Sequence, residues 1–509
     1  MSITSPSFLL AAALTLLLYF LLPGHRLKRL VLLAADGALI ICMSGGVQGL
    51  IWVLLLTAAG YLAGLGLEKA AGGEDRQRAR QKARRLLYLS LVPVLGILLY
   101  FKFFRGSWGL LQERLLDRGI TLADLLAPIG LSYFTLAISG YLIDVSHKKH
   151  PAERSFWDFL LYVSFFPALM QGPINLYRKL MPQLKEDHPF DRETARLQLY
   201  RILWGYFKKT VIADRIGIRV AAALGDAELT GFPVFWTMVL YSFQIYCDFS
   251  GGIDVIMGIS RILGIRLQEN FDAPFRAKSV TEFWSRWHKS LGEWMEKYVY
   301  YPLILSKPLQ KLCRRIGDKR LRASAAAAAA GFLVFILVGI WHGTGWNYVV
   351  YGLYQAAFVS SATLLGPFYK RTREKWHISE KSKLWQGWCV LRTFIVLVFG
   401  RYLTRGGTLT GALALLRRTF ASVSLGRLFD GSLLSYGLDL PNTVLMLLLI
   451  LGILLTEFLG GGIGAWEQKL TGMKPRVRLT LLLAGLLSIL LFGIYGRGYD
   501  AAAFIYQSF

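Results

Sequence analysis

Residues 323–347 read ASAAAAAAGFLVFILVGIWHGTGWN. From Ala323 to Trp341 no charged side chain occurs, a run long enough as a helix to cross the ~30 Å hydrocarbon core of a bilayer. Lipid offers no partners to backbone N–H and C=O groups, so such a run must satisfy them internally. The run ends on His342, with Gly343 and Gly345 close behind. Glycines there permit a broken backbone, which a membrane tolerates where it lines a cavity or is buried in protein. An ionisable side chain at such a place is a candidate for function; the bland alternative is a hairpin turn capped by a histidine. The helix C-terminus also favours protonated His342, which opposes its use as a base unless desolvation counters it.

Working outward, comparable apolar runs recur along the chain: Phe8–Leu22, Leu30–Met43, a third ahead of Lys69, Leu86–Phe104, Ile120–Ile143, Phe232–Leu263, Tyr348–Leu365, Leu391–Leu403, Val444–Leu459 and Leu479–Tyr495. Leu197–Leu224 is interrupted by Lys208, Lys209, Asp214 and Arg215, and Phe156–Met170 has the length of a re-entrant element. The expected fold is all-α: a polytopic membrane bundle of roughly 11–13 helices, with re-entrant and interfacial helices around a central cavity. It forms one membrane domain over residues 1–509, with N-terminal spans (1–120), a core (121–366) and C-terminal spans (367–509).

Composition agrees with this class. Of 509 residues, 54% are hydrophobic and only 18% charged, against ~25% charged in soluble domains, and the mean hydropathy is +0.44. Lys and Arg (58) nevertheless outnumber Asp and Glu (32). This combination excludes a disordered chain, a secreted disulfide scaffold and an ordinary cytosolic enzyme. A nucleic-acid partner is not expected either, because the basic residues sit in short loops between apolar runs, as the positive-inside rule requires. Arg26, Lys28 and Arg29, then Lys69–Arg85, Lys370–Lys383 and Lys469–Arg478 read as cytoplasmic; Ser44–Gln48, Asp226–Glu228 and Asp430–Asp439 read as outside. This places the N-terminus outside a multi-pass protein of the plasma or inner membrane. No basic residue precedes Phe8, so the first run reads as an uncleaved span rather than a signal peptide. Cys42, Cys247, Cys313 and Cys389 have neither metal nor CxxC spacing and read as packing residues; no metal site is expected.

Between Arg266 and Arg322 the span pattern breaks into a stretch both polar and aromatic. Ser279-Val280-Thr281-Glu282 fits a capping box and starts a helix. Glu282, Arg286, Lys289 and Glu293 then fall on one face of a continuous helix, and Phe283, Trp287, Leu291 and Trp294 on its neighbour. Such a helix lies in the membrane interface with its rings at headgroup level. His288 is on the apolar flank, either packed among aromatics or functional. Within Phe232–Leu263, Asp248 and Asp254 are costly in a span without a polar interior or partner. They orient a histidine, or pair with Arg261 or a backbone amide.

Three elements in this order resemble the membrane-bound O-acyltransferase family: Tyr246-Cys247-Asp248-Phe249-Ser250-Gly251 followed by Pro274-Phe275, then Phe283-Trp284-Ser285-Arg286-Trp287-His288, then Trp341-His342-Gly343. Pro128-Ile129-Gly130-Leu131-Ser132-Tyr133-Phe134 and Phe165-Phe166-Pro167 with Gly172-Pro173 look like the same family. The bacterial branch of alginate O-acetyltransferase and D-alanyl-teichoic-acid export proteins is the most similar. Phe492-Gly493-Ile494-Tyr495 and Phe504-Ile505-Tyr506 resemble its alginate type. The chain departs from that type after Tyr301-Pro302-Leu303, where a glycine-rich turn is usual, and at Gly400-Arg401-Tyr402, where Phe-Arg-Ala is usual.

The resemblance implies an O-acyltransferase whose catalytic histidine is His342, with His288 as the second histidine of this branch. Acyl transfer from a thioester to a hydroxyl needs a base and a stabilised oxyanion. His342 is the candidate base. His288 positions a substrate or shares a proton, Trp341 and Asn347 shape the site, and Asp248, Trp287 and Arg286 support it or bind substrate. No bound cofactor is expected. The donor is acetyl-CoA or another acyl thioester on the cytoplasmic side, and a basic stretch at Arg266–Arg322 suits its phosphates or anionic lipid headgroups. The acceptor is a hydroxyl outside, on an exopolysaccharide, a cell-wall polymer or an extracytoplasmic relay acyltransferase. D-alanyl transfer to teichoic acid is the alternative within the family. A transporter or a non-catalytic membrane scaffold is the alternative in kind, although no repeat of the transporter type is evident.

Overall fold

The computed structural model describes residues 3–104, 130–169, 171–422, 431, 436–459 and 463–494. Among these every regular element is a helix, joined by one isolated bridge between Phe271 and Trp287. Several helices begin at a side-chain cap. Ser5 accepts from the N–H of Phe8, Asp75 from Gln77 and Arg78, Ser155 from Asp158, and Asp318 from Leu321. Each satisfies an N–H group that a first helical turn leaves open.

Two compact units account for the chain. The first is built mainly from Met1–Ile202 and Gly252–Gln268, the second from Leu203–Gly251 and Glu269–Tyr499. In the first lie α1 (Pro6–Leu21), α2 (His25–Ser44), α3 (Val47–Ala71), α4 (Arg76–Leu99), α5 (Leu131–Ser146), α6 (Phe156–Ser164), α7 (Phe166–Leu169) and α8 (Tyr177–Lys185). Here α3 packs on α4 and α5. The apolar stretch from Phe156 breaks at Phe165 into α6 and α7, and Asp36 of α2 supports the break by accepting from Ser164 Oγ (2.9 Å) and the Phe166 N–H (2.7 Å). Helix α9 (Arg192–Tyr206) leaves this unit and continues as a π-helical stretch, Phe207–Ala213, into α10 (Asp214–Gly225). The interrupted run Leu197–Leu224 is therefore helical but irregular.

Helix α11 (Phe232–Ile262) is unbroken despite its two carboxylates. The second unit continues with α12 (Val280–Arg286), α13 (Lys289–Met295), α14 (Tyr301–Ile304), α15 (Lys307–Cys313), α16 (Lys319–His342), α17 (Trp346–Leu364), α18 (Gly366–Lys375), α19 (Lys383–Arg405), α20 (Leu409–Phe420), α21 (Leu440–Leu459), α22 (Ile463–Gly472) and α23 (Pro475–Phe492). The hairpin of α16 and α17 is its most intimate pair. Gly339 and Gly352 allow this. A Cβ on Gly339 would fall 2.4 Å from the Tyr348 carbonyl oxygen, and one on Gly352 would fall 2.6 Å from that of Phe335. Small residues let membrane helices close to backbone contact.

Six of the described helices are long and apolar enough to cross a membrane: Val47–Ala71, Arg76–Lys102, Lys319–His342, Lys383–Arg405, Leu440–Leu459 and Pro475–Phe492. Helices α17 and α18, bent by 63° at Leu365, make a seventh if taken as one span. The protein is an all-α, multi-pass membrane bundle. Ile120–Ile129, Asp430 and residues 432–435, Tyr495 and Phe504–Tyr506 lie outside the described residues.

One expected element is corrected. The continuous amphipathic helix through Glu282, Arg286, Lys289 and Glu293 is two short helices, α12 and α13, with Trp287 extended and His288 left-handed between them. The capping half of the expectation is present. Ser279 Oγ accepts from the Glu282 N–H (3.0 Å), and Glu282 accepts in turn from the N–H of Lys278 (2.8 Å). Glu282 and Arg286 share a face and pair, but the register is lost before Lys289. Pairing with a distant segment causes the break: Asp272 N–H donates to Arg286 C=O and Lys289 N–H donates to Asn270 C=O, each at 3.0 Å. Those bonds flank the Phe271–Trp287 bridge and hold the chain extended where helix would otherwise continue.

Candidate active site

His342 is the last residue of α16, and Gly343 beyond it is fully extended. Its side chain is buried. The ring of Trp341 lies 4.9 Å from that of His342 and 5.9 Å from that of His288, so a single indole touches both histidines. Tyr351 of α17 closes on His342 from another side, ring to ring at 6.3 Å.

His288 occupies the turn between α12 and α13 with φ 50° and ψ 51°. A non-glycine residue pays ~1–2 kcal/mol for this conformation, which persists only where surrounding structure enforces it. The enforcement is the bridge at Trp287, together with the Asn270 side chain accepting from the Ser290 N–H (3.1 Å). The result carries the imidazole to a place no helix would. It is 1% exposed and edge-on to Phe249 at 5.0 Å, and neither ring nitrogen has a hydrogen-bond partner among the described residues. Burial pushes its pKa down to about 3, so His288 is neutral near pH 7.

His288 also lines a cavity of about 310 Å³ with Trp284, Trp287, Tyr300, Phe335 and Glu296. The alanine-rich start of α16, whose sequence needs no meaning beyond a span, supplies the opposite wall through Ala327, Ala328 and Gly331. Small side chains there leave room that Leu or Phe would fill.

The remaining sequence candidates take supporting places. Asp248 pairs with Lys209 (2.7 Å), which also holds Asp214 (2.9 Å), and all three are buried. Asp254 meets Arg201 at 3.0 Å. The cations that answer both carboxylates therefore come from α9 and the π-helical stretch after it. Trp287 stacks on Phe283 with centroids 5.4 Å apart. Arg286 holds the loop, reaching Glu282 (3.1 Å) and Asp272 (3.5 Å). Asn347 is fully buried and its Nδ2 donates to the Leu403 carbonyl (2.9 Å), tying α17 to α19. His288, Trp341 and His342 are thus brought together by their rings, Trp287 beside them, while Asp248, Asn347 and Arg286 brace the surrounding helices.

Sequence reading assigned none of Tyr351, Lys209 and Arg401 to the site. Arg401, buried on α19, lies over the Trp287 ring at 5.2 Å. Its signal was available as a cation inside an apolar run. Among the described residues no three His, Cys, Asp or Glu side chains gather as a metal set. Chemically, the arrangement offers an imidazole at a broken helix end, a second and neutral imidazole one ring away, and a mainly apolar cavity beside that second imidazole. That suits proton transfer to or from an oxygen nucleophile.

Comparison with known proteins gives a family and several relatives. The model of the membrane-bound O-acyltransferase family matches residues 40–404, more than half of the chain. A probable alginate O-acetylase of Pseudomonas aeruginosa is 30% identical over 353 residues, covering 69% of this chain and 63% of that protein. A peptidoglycan O-acetyltransferase of Helicobacter pylori is 30% identical over 335 residues, covering 60% and 59%. A teichoic acid D-alanyltransferase of Bacillus subtilis is 27% identical over 290 residues, covering 56% and 70%. The chain spans a little under two thirds of the length of the first two relatives.

Proposed function

This chain belongs to the membrane-bound O-acyltransferase family, and we propose that it is a multi-pass O-acyltransferase that moves an acetyl group from a thioester donor to a hydroxyl presented outside the membrane. The observation that carries the reading is the contact of Trp341 with both His342 and His288, two buried imidazoles at breaks in helical backbone. His342 takes the proton of the acceptor hydroxyl as that oxygen attacks the thioester carbonyl, and returns it to the departing thiolate. His288, neutral and facing the cavity, hydrogen-bonds a reactant rather than pairing with a charge. Trp341 fixes the spacing of the two rings. Asp248 acts through Lys209 and Asp214 to hold the helix that presents Phe249 to His288. Trp287, Asn347 and Arg286 keep the loop and α17 in place.

The donor in this reading is acetyl-CoA or another cytoplasmic acyl thioester, and the protein needs no bound cofactor. The acceptor is a polysaccharide of the envelope or a relay acyltransferase outside. The alginate and peptidoglycan relatives favour acetyl, and the D-alanyltransferase relative makes D-alanyl to teichoic acid the second outcome to look for. The protein sits in the plasma or inner membrane as one domain with its N-terminus outside, the basic loops facing the cytoplasm.

Radiolabelled acetyl-CoA and a D-alanyl thioester, each supplied to the purified protein with envelope polysaccharide, test the reading. Transfer of label, lost in His342→Ala at unchanged membrane abundance, is the expected result. An active His342→Ala protein refutes the base assignment, and solute flux without transfer refutes the enzyme.

A further inference from the structure

Arg401 is 6% exposed within α19, a helix apolar enough to span a membrane. Its Nε is buried with no hydrogen-bond partner, and among the described residues its guanidinium forms no ion pair. Its guanidinium lies over the face of Trp287. A buried cation without a counter-charge is among the more costly arrangements a fold can keep, and exchange for an apolar side chain is often neutral or stabilising. Lys209, equally buried, illustrates the ordinary solution with its two carboxylates.

The position of this charge matters. Trp287, under the guanidinium, is the residue before His288. On the other side, α19 meets α17 at Gly400, where a Cβ would fall 2.9 Å from Gln355 Nε2 and 3.4 Å from the Tyr351 ring. Tyr351 is the ring that packs on His342. Arg401 therefore adjoins the neighbours of both histidines.

We infer that Arg401 is an anion-receiving residue of this site, placed to take the negative charge that develops on oxygen during acyl transfer. The inference rests on the acyltransferase reading for the identity of that anion. In the step, the acceptor oxygen bonds to the thioester carbonyl carbon and its proton passes to His342. The C=O π pair moves onto the carbonyl oxygen, which becomes the oxyanion facing Arg401. The pair then returns, the C–S bond breaks, and the thiolate leaves with the proton from His342. A fixed cation that pairs with no carboxylate among the described residues is available to an oxyanion forming beside it.

Acetate serves as the probe of the anion site in the absence of reaction. With the full-length protein in detergent, acetate should raise the Tm of the native protein by a few degrees more than that of Arg401→Met, with Arg401→Lys between them. In acyl transfer, Arg401→Met should lower kcat by about 10²–10³-fold with KM little changed, and Arg401→Lys should recover part of the loss. Without acetate, Arg401→Met should be at least as stable as the native protein. Equal acetate responses, or an unchanged kcat, overturn the inference. So does failure of both Arg401→Met and Arg401→Gln to fold, which would make the guanidinium a structural tie. If the native protein transfers no acyl group but its acetate response vanishes in Arg401→Met, the acyltransferase reading fails and the anion site stands.

Discussion

Acidification from pH 7 to pH 5 should cost this protein stability at His288, and His288→Phe should remove that contribution. In the folded chain burial holds the imidazole near a pKa of about 3, whereas in the unfolded chain it titrates near 6.5. Between those values the unfolded state binds a proton that the folded state does not. Stability is therefore full above about pH 6.5 and falls as the pH drops below it. At pH 5 the interval is about 1.5 units, and at 1.36 kcal/mol per unit the loss is about 2 kcal/mol. At about 2.1 cal/mol/K of unfolding entropy per residue over this length, that corresponds to a fall in Tm of ~2 °C. Phenylalanine suits the site, since Phe249 and Trp341 already pack edge-on against the ring there. Glu296 shares the cavity and Arg401 lies over the adjacent Trp287, but both are present in either protein, so their effects cancel in the comparison. Scanning calorimetry of the two detergent-solubilised proteins at pH 7 and pH 5 reads the difference. An equal loss of Tm in both, or an NMR titration of His288 near 6.5 in the folded protein, would refute the reasoning.

His342→Ala should lower acyl transfer about 10²–10⁴-fold while leaving Tm within a degree or two, measured as label transfer per folded protein. Gly352→Ala forces a methyl onto the Phe335 carbonyl and should cost about 1–3 kcal/mol, seen as a lower Tm with an accompanying loss of activity as α16 shifts. Asp248→Ala leaves the Lys209 ammonium with fewer carboxylates in a buried setting and should cost about 3–5 kcal/mol, read as reduced abundance in the membrane.

Features written in local sequence were legible. The span that ends at His342 follows from an uncharged run and two glycines, and the start of α12 follows from Ser279 and Glu282. The break at Trp287 was hidden, because the helical periodicity of Glu282, Arg286, Lys289 and Glu293 continues straight across it. The backbone of Asn270–Asp272 overrides that pattern, and no local composition announces which distant segment will pair. The partners of the buried carboxylates were hidden for a related reason. Lys209 and Asp248 lie far apart in sequence, so their charges cancel only after folding. Arg401 stood in plain view, but its lack of an ion pair among the described residues is a property of packing and not of spacing.

A chain emerging from the ribosome presents Lys208 and Lys209 well before Asp248. On its own the segment around the π-helical stretch is too charged to partition stably into lipid. Its ammonium is neutralised within the segment by Asp214 and across to α11 by Asp248. The segment therefore gains its second carboxylate only once α11 has been made, and its stable integration is expected to follow the synthesis of Asp248. A nascent chain truncated before Phe232 should leave residues 207–213 outside the lipid, and cysteine-accessibility mapping of stalled chains would show whether it does.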